Sequence, residues 1–255
     1  MRKISSIAYN TFRESAREKL LYVALIFGGI LIVSTFILSP LAVGARDKII
    51  LDVGLASISI LGVLTAILVG STLVHKEVEK RAIYIVLTRP VSRARYVIGK
   101  FSGIVLAIAA LVAVMSIFLV AALLLGRGDL RGAILAAVYL SLLETMVICA
   151  VVIFFSTFTT PILTSFFSLC FFVAGSLSND LRAFAQRFGG TAVRYIVDVF
   201  YYLLPNLKVF NLRHEAVHDL AFRGTDLALA TVYAGVYCGA VLYFAYLVFR
   251  RREFS

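Results

Sequence analysis

A few residues in this 255-residue chain have types and spacings that can do chemistry. His214-Glu215-Ala216-Val217-His218 reads H-E-x-x-H. On a helix that spacing puts two imidazoles on one face, where zinc can bind, with Glu215 as general base. A catalytic zinc takes a third protein ligand as a rule. The nearest acidic residues downstream are Asp219 and Asp226, and Ala221 stands where the longer zinc signature needs glycine. The motif therefore reads as a polar helix end, with a membrane zinc metalloprotease kept as the weaker alternative. We assign no metal ligands. Glu144 is different in kind: it stands alone within a long apolar run. A charge at such a place costs up to about 3 kcal/mol on insertion scales. Two readings are open, a residue on a transport or proton pathway, or an interhelical hydrogen bond that fixes packing. Ser141 and Thr145 are the polar residues nearest to it on the same helix.

Other chemistry is missing. No phosphate-binding glycine-lysine loop occurs, nor a Gly-x-Ser-x-Gly elbow, nor a Cys/His pair. The chain is not expected to be an enzyme, to hydrolyse ATP or to bind a cofactor. Cys149, Cys170 and Cys238 have neither disulfide nor metal spacing and read as small apolar filler. The Arg127-Gly128-Asp129 tripeptide sits in a glycine-rich turn and needs no further role.

The elements that must position these residues are membrane spans. Hydrophobic residues make up 61% of the chain and fall in long uncharged runs. A bilayer crossing takes about 20 mostly apolar residues. Six runs qualify or nearly do: Leu20–Leu38, Gly54–Val74, Ile98–Leu125, Ala133–Phe155, Ile162–Leu177 and Leu227–Phe249. The fifth is short. Each must be helical, because lipid offers backbone groups no partners. The expected fold is thus an all-α membrane protein with six transmembrane helices in a single domain spanning 1–255. The first run follows a long polar start and reads as a retained span, not a cleaved signal.

The formal charge of +11 does not point to nucleic acid. With the N-terminus inside, Lys and Arg are about twice as dense in the inner segments as in the outer ones, as the positive-inside rule expects. Both termini are therefore expected in the cytoplasm, and attraction to anionic lipid accounts for the charge.

Residues 1–18 are expected to form an amphipathic helix on the membrane surface. Ile4, Ile7, Ala8, Thr11 and Phe12 share one face, and Arg2, Lys3, Asn10, Arg13, Glu14 and Arg17 fill the other. The loop at 75–100 is charged at both ends and apolar from Ala82 to Leu87. It suits a short helix lying against a second protein, although a plain connection is the competing reading. Pro90 stops it and turns Arg89 away from helix. Arg93, Arg95 and Lys100 are expected to snorkel at the start of the third span. The outer segment, 178–226, holds an amphipathic stretch Thr191–Leu204 with Tyr195, Phe200, Tyr201 and Tyr202. One or two short helices in the outer leaflet are expected there, ending at Pro205-Asn206. The phenylalanines Phe154, Phe155, Phe158, Phe166, Phe167, Phe171 and Phe172 line a greasy path or face lipid. The pairs Gly99/Gly103 and Gly235/Gly239 permit close helix approach.

Several of these segments together resemble a known family. Tyr9-Asn-Thr-Phe-Arg-Glu14 precedes the first span. Glu77-Val-Glu79 follows the second, then the apolar Ile83–Thr88, Arg89-Pro90-Val-Ser-Arg93 and Gly99-Lys100-Phe101. Leu204-Pro-Asn-Leu-Lys-Val-Phe-Asn211 precedes the sixth. Over essentially its whole length the chain resembles the permease subunits of type-2 ABC exporters, in the branch that includes permeases for copper-enzyme maturation. Lys80-Arg81 departs from the pattern, where many members have small or neutral residues.

The resemblance implies a six-span permease in the cytoplasmic (inner) membrane, an N-terminal interfacial helix and a cytoplasmic coupling helix at about 75–87. It implies two permease copies, a homodimer by default, working with two cytoplasmic ATPase subunits that hold the ATP and Mg. Glu77, Glu79, Arg81, Arg89, Pro90 and Arg93 would form the coupling surface. Phe158 and Thr159 would add a smaller contact, and Arg13 and Glu14 would tie the interfacial helix to it. An ion-coupled carrier using Glu144 is the alternative from another class.

Overall fold

A computed structural model describes residues 7–14, 22–23, 26–31, 33, 46–79, 93–125, 132–188, 190, 194–195, 197–198, 201, 204–218 and 224–251. Among them the secondary structure is helical, with no strand. Five helices are long and apolar enough to cross a membrane: α1 (Arg46–Glu79), α2 (Arg93–Leu125), α3 (Gly132–Ser156), α4 (Pro161–Phe188) and, after a short α5 (Arg213–His218), α6 (Gly224–Arg251). The expected first span lies mostly outside the described residues. Those described, 22–23, 26–31 and 33, are helical, and Phe27 and Leu31 are buried in the core.

The centre of the fold is α3. It is apolar on every face, as a helix must be when neighbours surround it. Of its span 67% is buried inside the fold, against 22% for α4 and 17% for α6, which are therefore peripheral. The helices α1, α2, α4 and α6 all pack against it. Small residues bring α1 close: a Cβ on Gly62 would lie 3.2 Å from Thr145 Oγ1, and one on Gly70 would lie 2.7 Å from Val152 Cγ1. Small side chains are the usual means of close helix packing where no hydrophobic effect operates between helices.

The fifth expected span is longer than its apolar run. Ile162–Leu177 is the first part of α4, a 28-residue helix that continues to Phe188. The run was cut short by Asn179, Asp180 and Arg182. These side chains find tertiary partners without leaving the helix: Asn179 donates to Asn206 Oδ1 at 3.1 Å, Lys208 pairs with Asp180, and Arg182 with Asp198 at 2.9 Å. The segment between α4 and α6 is correspondingly shorter than 178–226. It holds a 3-10 turn at Leu207–Phe210 and α5, both after Pro205-Asn206 and not before it as expected; of the stretch 191–204, residues 194–195, 197–198, 201 and 204 are described. Its described aromatics divide, Tyr195 lying exposed while the Arg182 guanidinium covers the Tyr201 ring at 4.3 Å.

The start of α4 follows from local chemistry. Pro161 takes the first helical position, where its missing N–H costs nothing. Thr159 Oγ1 bonds Phe155 O at 2.8 Å and Thr164 Oγ1 at 2.6 Å, closing the turn from α3. Phe155 packs its ring against Phe154, Phe158, Phe167 and Phe171 across the same turn. Farther out, Phe166, Phe184 and Phe188 point away from the fold, while Thr164, Ser168, Gly175, Ser178 and Ala185 form the buried face of α4. Polar-in and apolar-out is the arrangement lipid demands.

Three other groups of residues are placed as follows. Lys100 does not snorkel; it is 1% exposed, within the fold at the start of α2. Cys170 is exposed, whereas Cys149 and Cys238 are buried as apolar filler. Residues 75–79 are the last turn of α1, so a helix at 75–87 shares its beginning with the span. Residues 80–92, with Arg81, Arg89 and Pro90, lie outside the described residues.

The two glycine pairs also divide. Gly235 and Gly239 face open space. Gly103 instead receives residues 7–14: a Cβ there would meet Thr11 Cβ at 2.6 Å and the Ala8 carbonyl oxygen at 2.7 Å. Thr11 is 2% exposed and Phe12 packs on the core, while Tyr9, Asn10 and Arg13 face outward. The expected amphipathic division of this segment holds over its described part.

The Gly103→Val variant is expected to destabilise the protein by about 1–3 kcal/mol, the usual cost of overpacking. Residues 7–14 should then exchange amide hydrogens at least tenfold faster. Gly235→Val should stay within about 0.5 kcal/mol of native. Equal effects at the two positions would show that the N-terminal helix is not held at Gly103.

Candidate functional site: an intramembrane carboxylate beside a cleft

The helices α1 and α3 run in parallel and meet at mid-span. Glu144 is the middle residue of the α3 span, and Ser59 lies midway along the α1 span, Asp47–Thr72. Ser59 Oγ donates to Glu144 Oε2 at 2.7 Å. The carboxylate is 9% exposed and faces protein, not lipid. An intramembrane carboxylate must be placed this way, because hydrocarbon offers it nothing. The polar neighbours expected on its own helix are occupied elsewhere. Ser141 donates to Ala137 O at 3.0 Å and Thr145 to Ser141 O at 2.8 Å. The partner of Glu144 comes from another helix, 85 residues earlier in the chain. The interhelical bond is therefore present. It does not enclose the carboxylate, which lines a cleft of about 80 Å³.

One wall of the cleft is α1, another is α3, and the third is the chain from Phe210 to Arg213. This third wall is tied down at several points. The Tyr233 hydroxyl accepts from the Asn206 N–H at 2.9 Å, and the Phe210 ring lies tilted against the Tyr233 ring. Asn211 Oδ1 accepts from the Arg213 N–H at 3.1 Å. Arg213 reaches α1 and grips both oxygens of Asp52, with Nη2 to Oδ2 at 2.6 Å. The hydrogen bond to Asp52 holds the Arg213 guanidinium above its usual pKa, with burial pulling the other way. A two-pronged Arg–carboxylate pair fixes orientation as well as distance. It positions α5 against the beginning of α1 and neutralises the charge at that end of the cleft.

The H-E-x-x-H residues occupy α5, six residues long. Ala216 and Val217 are its buried side, His214 is exposed, and the side chain of His218 lies outside the described residues. Among the described residues no group of three His, Cys, Asp or Glu side chains can hold a metal. What α5 brings to the site is Arg213, a residue the sequence did not single out. Neither Asp52 nor Ser59 was signalled either. Their only cue is a polar residue inside an apolar run, and it names no partner.

The remaining candidates lie toward the other end of the bundle. Phe158 is exposed at the α3–α4 turn, and Thr159 is engaged within that turn. Glu77 and Glu79 lie in the last turn of α1, and Arg93 is the first residue of α2. The structure does not bring them to the Glu144 cleft. Arg13 is exposed and Glu14 half-buried on the N-terminal helix.

A family model, ABC-2 family transporter protein, matches residues 4–254. The chain belongs to that family. It is thus the membrane permease part of an ABC transporter and an integral membrane protein. No curated protein matches it. In this ABC-2 transporter protein Ser59, the partner of Glu144, and Glu79 lie on one helix, α1, which ends at Glu79.

A double-mutant cycle of Asp52→Asn and Arg213→Gln measures how firmly the third wall is held. Both side chains are about two-fifths exposed, so the expected coupling is about 0.5–1 kcal/mol at low salt. It should shrink in high salt. Zero coupling at low salt would show that the pair does not secure α5.

Proposed function

We propose that this chain is the permease subunit of an ATP-driven exporter in the cytoplasmic membrane, with both termini in the cytoplasm. Two copies form the transport path and two separate cytoplasmic ATPase subunits drive it. The match over 4–254 carries this reading. ATP and Mg bind to the partner ATPases, and this chain contributes no catalytic residue. The whole chain acts as a single transmembrane domain. Its place near the copper-enzyme maturation permeases rests on the resemblance of the 75–100 block.

In this scheme Glu77, Glu79, Arg81, Arg89, Pro90 and Arg93 form the surface that the ATPase moves. Phe158, exposed at the neighbouring turn, adds a contact, and the hydrogen bonds of Thr159 stiffen that turn. Arg13 and Glu14 link the N-terminal helix to the same side. Continuity of α1 supports the coupling. It is one unbroken helix of 34 residues, about 50 Å long at about 1.5 Å per residue. A push on its Glu79 end is therefore carried along the helix to Ser59 and the cleft.

Co-expression with the ATPase encoded beside this chain should yield a stable complex with ATPase activity. Reversing Glu77 and Glu79 to Lys should lower complex formation at least about tenfold, or about 1.4 kcal/mol. If no ATPase co-purifies and the reversal changes nothing, the proposal fails.

A further inference from the structure

The cleft beside Glu144 has a chemistry of its own. One carboxylate oxygen accepts from Ser59. The other oxygen has no hydrogen-bond partner among the described residues, and the side chain borders free space. The nearest cation of the wall, Arg213, is held by Asp52. The pair is neutral in sum, which leaves Glu144 as the acidic group of the lining without a cationic partner among the described residues. An ionised carboxylate at mid-depth in a bilayer calls for a counter-charge.

Two kinds of cation differ in what they need around them. A bare metal ion takes several oxygen ligands, six to eight for calcium. The cleft is poor in them. Its lining carries one carboxylate, Glu144, and among the described residues no group of three His, Cys, Asp or Glu side chains can hold a metal ion. An organic ammonium needs one carboxylate, one or two further acceptors, and apolar walls for its carbon body. Glu144 and the Ser59 oxygen supply the first part. Ala56, Ile60, Ala137 and Leu212 supply the second. Ile60 is 51% exposed at mid-span, so the mouth of the cleft meets the hydrocarbon region at its side. A ligand entering there carries a tail that stays in lipid.

We propose that the Glu144 cleft binds the primary ammonium group of an amphiphile, with Glu144 as its counter-ion and the apolar wall of α1 and α3 against its first carbons. Cationic amphiphiles are then the class of molecule this permease moves. The transport part of the inference rests on the permease reading above, whereas the binding part is a property of this chain alone.

The test uses the purified full-length chain in detergent, with dodecylamine as probe and dodecanol as its uncharged counterpart. Unfolding is followed with a thiol-reactive dye in a Cys170→Ser background, because Cys170 is exposed whereas Cys149 and Cys238 are buried until the fold opens. Dodecylamine should raise the unfolding midpoint at neutral pH and dodecanol should not. Glu144→Gln should weaken the apparent affinity for dodecylamine at least tenfold. Ala56→Leu, which narrows the cleft without touching a charge, should do the same, and it decides the matter if Glu144→Gln fails to fold. Equal shifts with amine and alcohol would overturn the proposal, as would variants that respond like the native chain. A shift produced by sodium chloride and not by the amine would replace the organic ammonium with an inorganic cation. No ATPase enters this measurement. Loss of the amine response leaves the permease reading intact, and failure of ATPase co-purification leaves the binding result standing.

Discussion

A carboxylate at the middle of a membrane span cannot face lipid, and the arrangement of the helices follows from that constraint. Glu144 requires its own face of α3 to meet protein, and the apolar remainder of that helix lets neighbours pack around it. The chain meets this by making α3 apolar all round and packing four helices on it. Glycines let α1 come close enough for the Ser59 hydroxyl to reach the carboxylate. The serine and threonine hydroxyls of the central helix bond to their own backbone, Tyr139 reaches Thr231 of α6, and Ser168 Oγ and Glu215 Oε2 are buried without a partner among the described residues.

Around this centre the peripheral helices reverse the order of a soluble protein. The fourth helix buries serine, threonine, glycine and alanine and turns phenylalanine outward. The small buried face packs closely where no water must be expelled. Its far end carries Asn179, Asp180 and Arg182, and these do not end the helix because the chain folding back from residue 194 to Lys208 supplies partners. That returning chain also builds the third wall of the cleft. Helical length, the path of the returning segment and the shape of the cleft are thus one problem with one solution, secured at its end by Arg213 on Asp52.

The separation of the two functional regions has a mechanical meaning in the proposed scheme. The charged surface near Glu79 and the carboxylate at mid-depth share α1, a helix without a break. The N-terminal helix seats on Gly103 of α2, near the start of the same hairpin. A force on the connection between α1 and α2 thus acts on elements already locked to the core.

The sequence by itself determined the membrane class, the helices and their order, because each depends on local hydropathy and on the demand for internal backbone hydrogen bonds. It marked Glu144 as a residue that must be shielded, and the 75–100 block as the most specific part of its resemblance to type-2 ABC permeases. Only the tertiary structure decided who shields Glu144. Ser59, 85 residues away, carries no pattern that names its partner. The Asp52–Arg213 pair spans 161 residues and was equally hidden. The burial of Lys100 was hidden for the same reason, since a lysine beside a span snorkels unless packing prevents it. The true length of α4 was lost because a run of apolar residues measures what lipid tolerates, whereas the helix continues wherever tertiary partners satisfy its polar side chains.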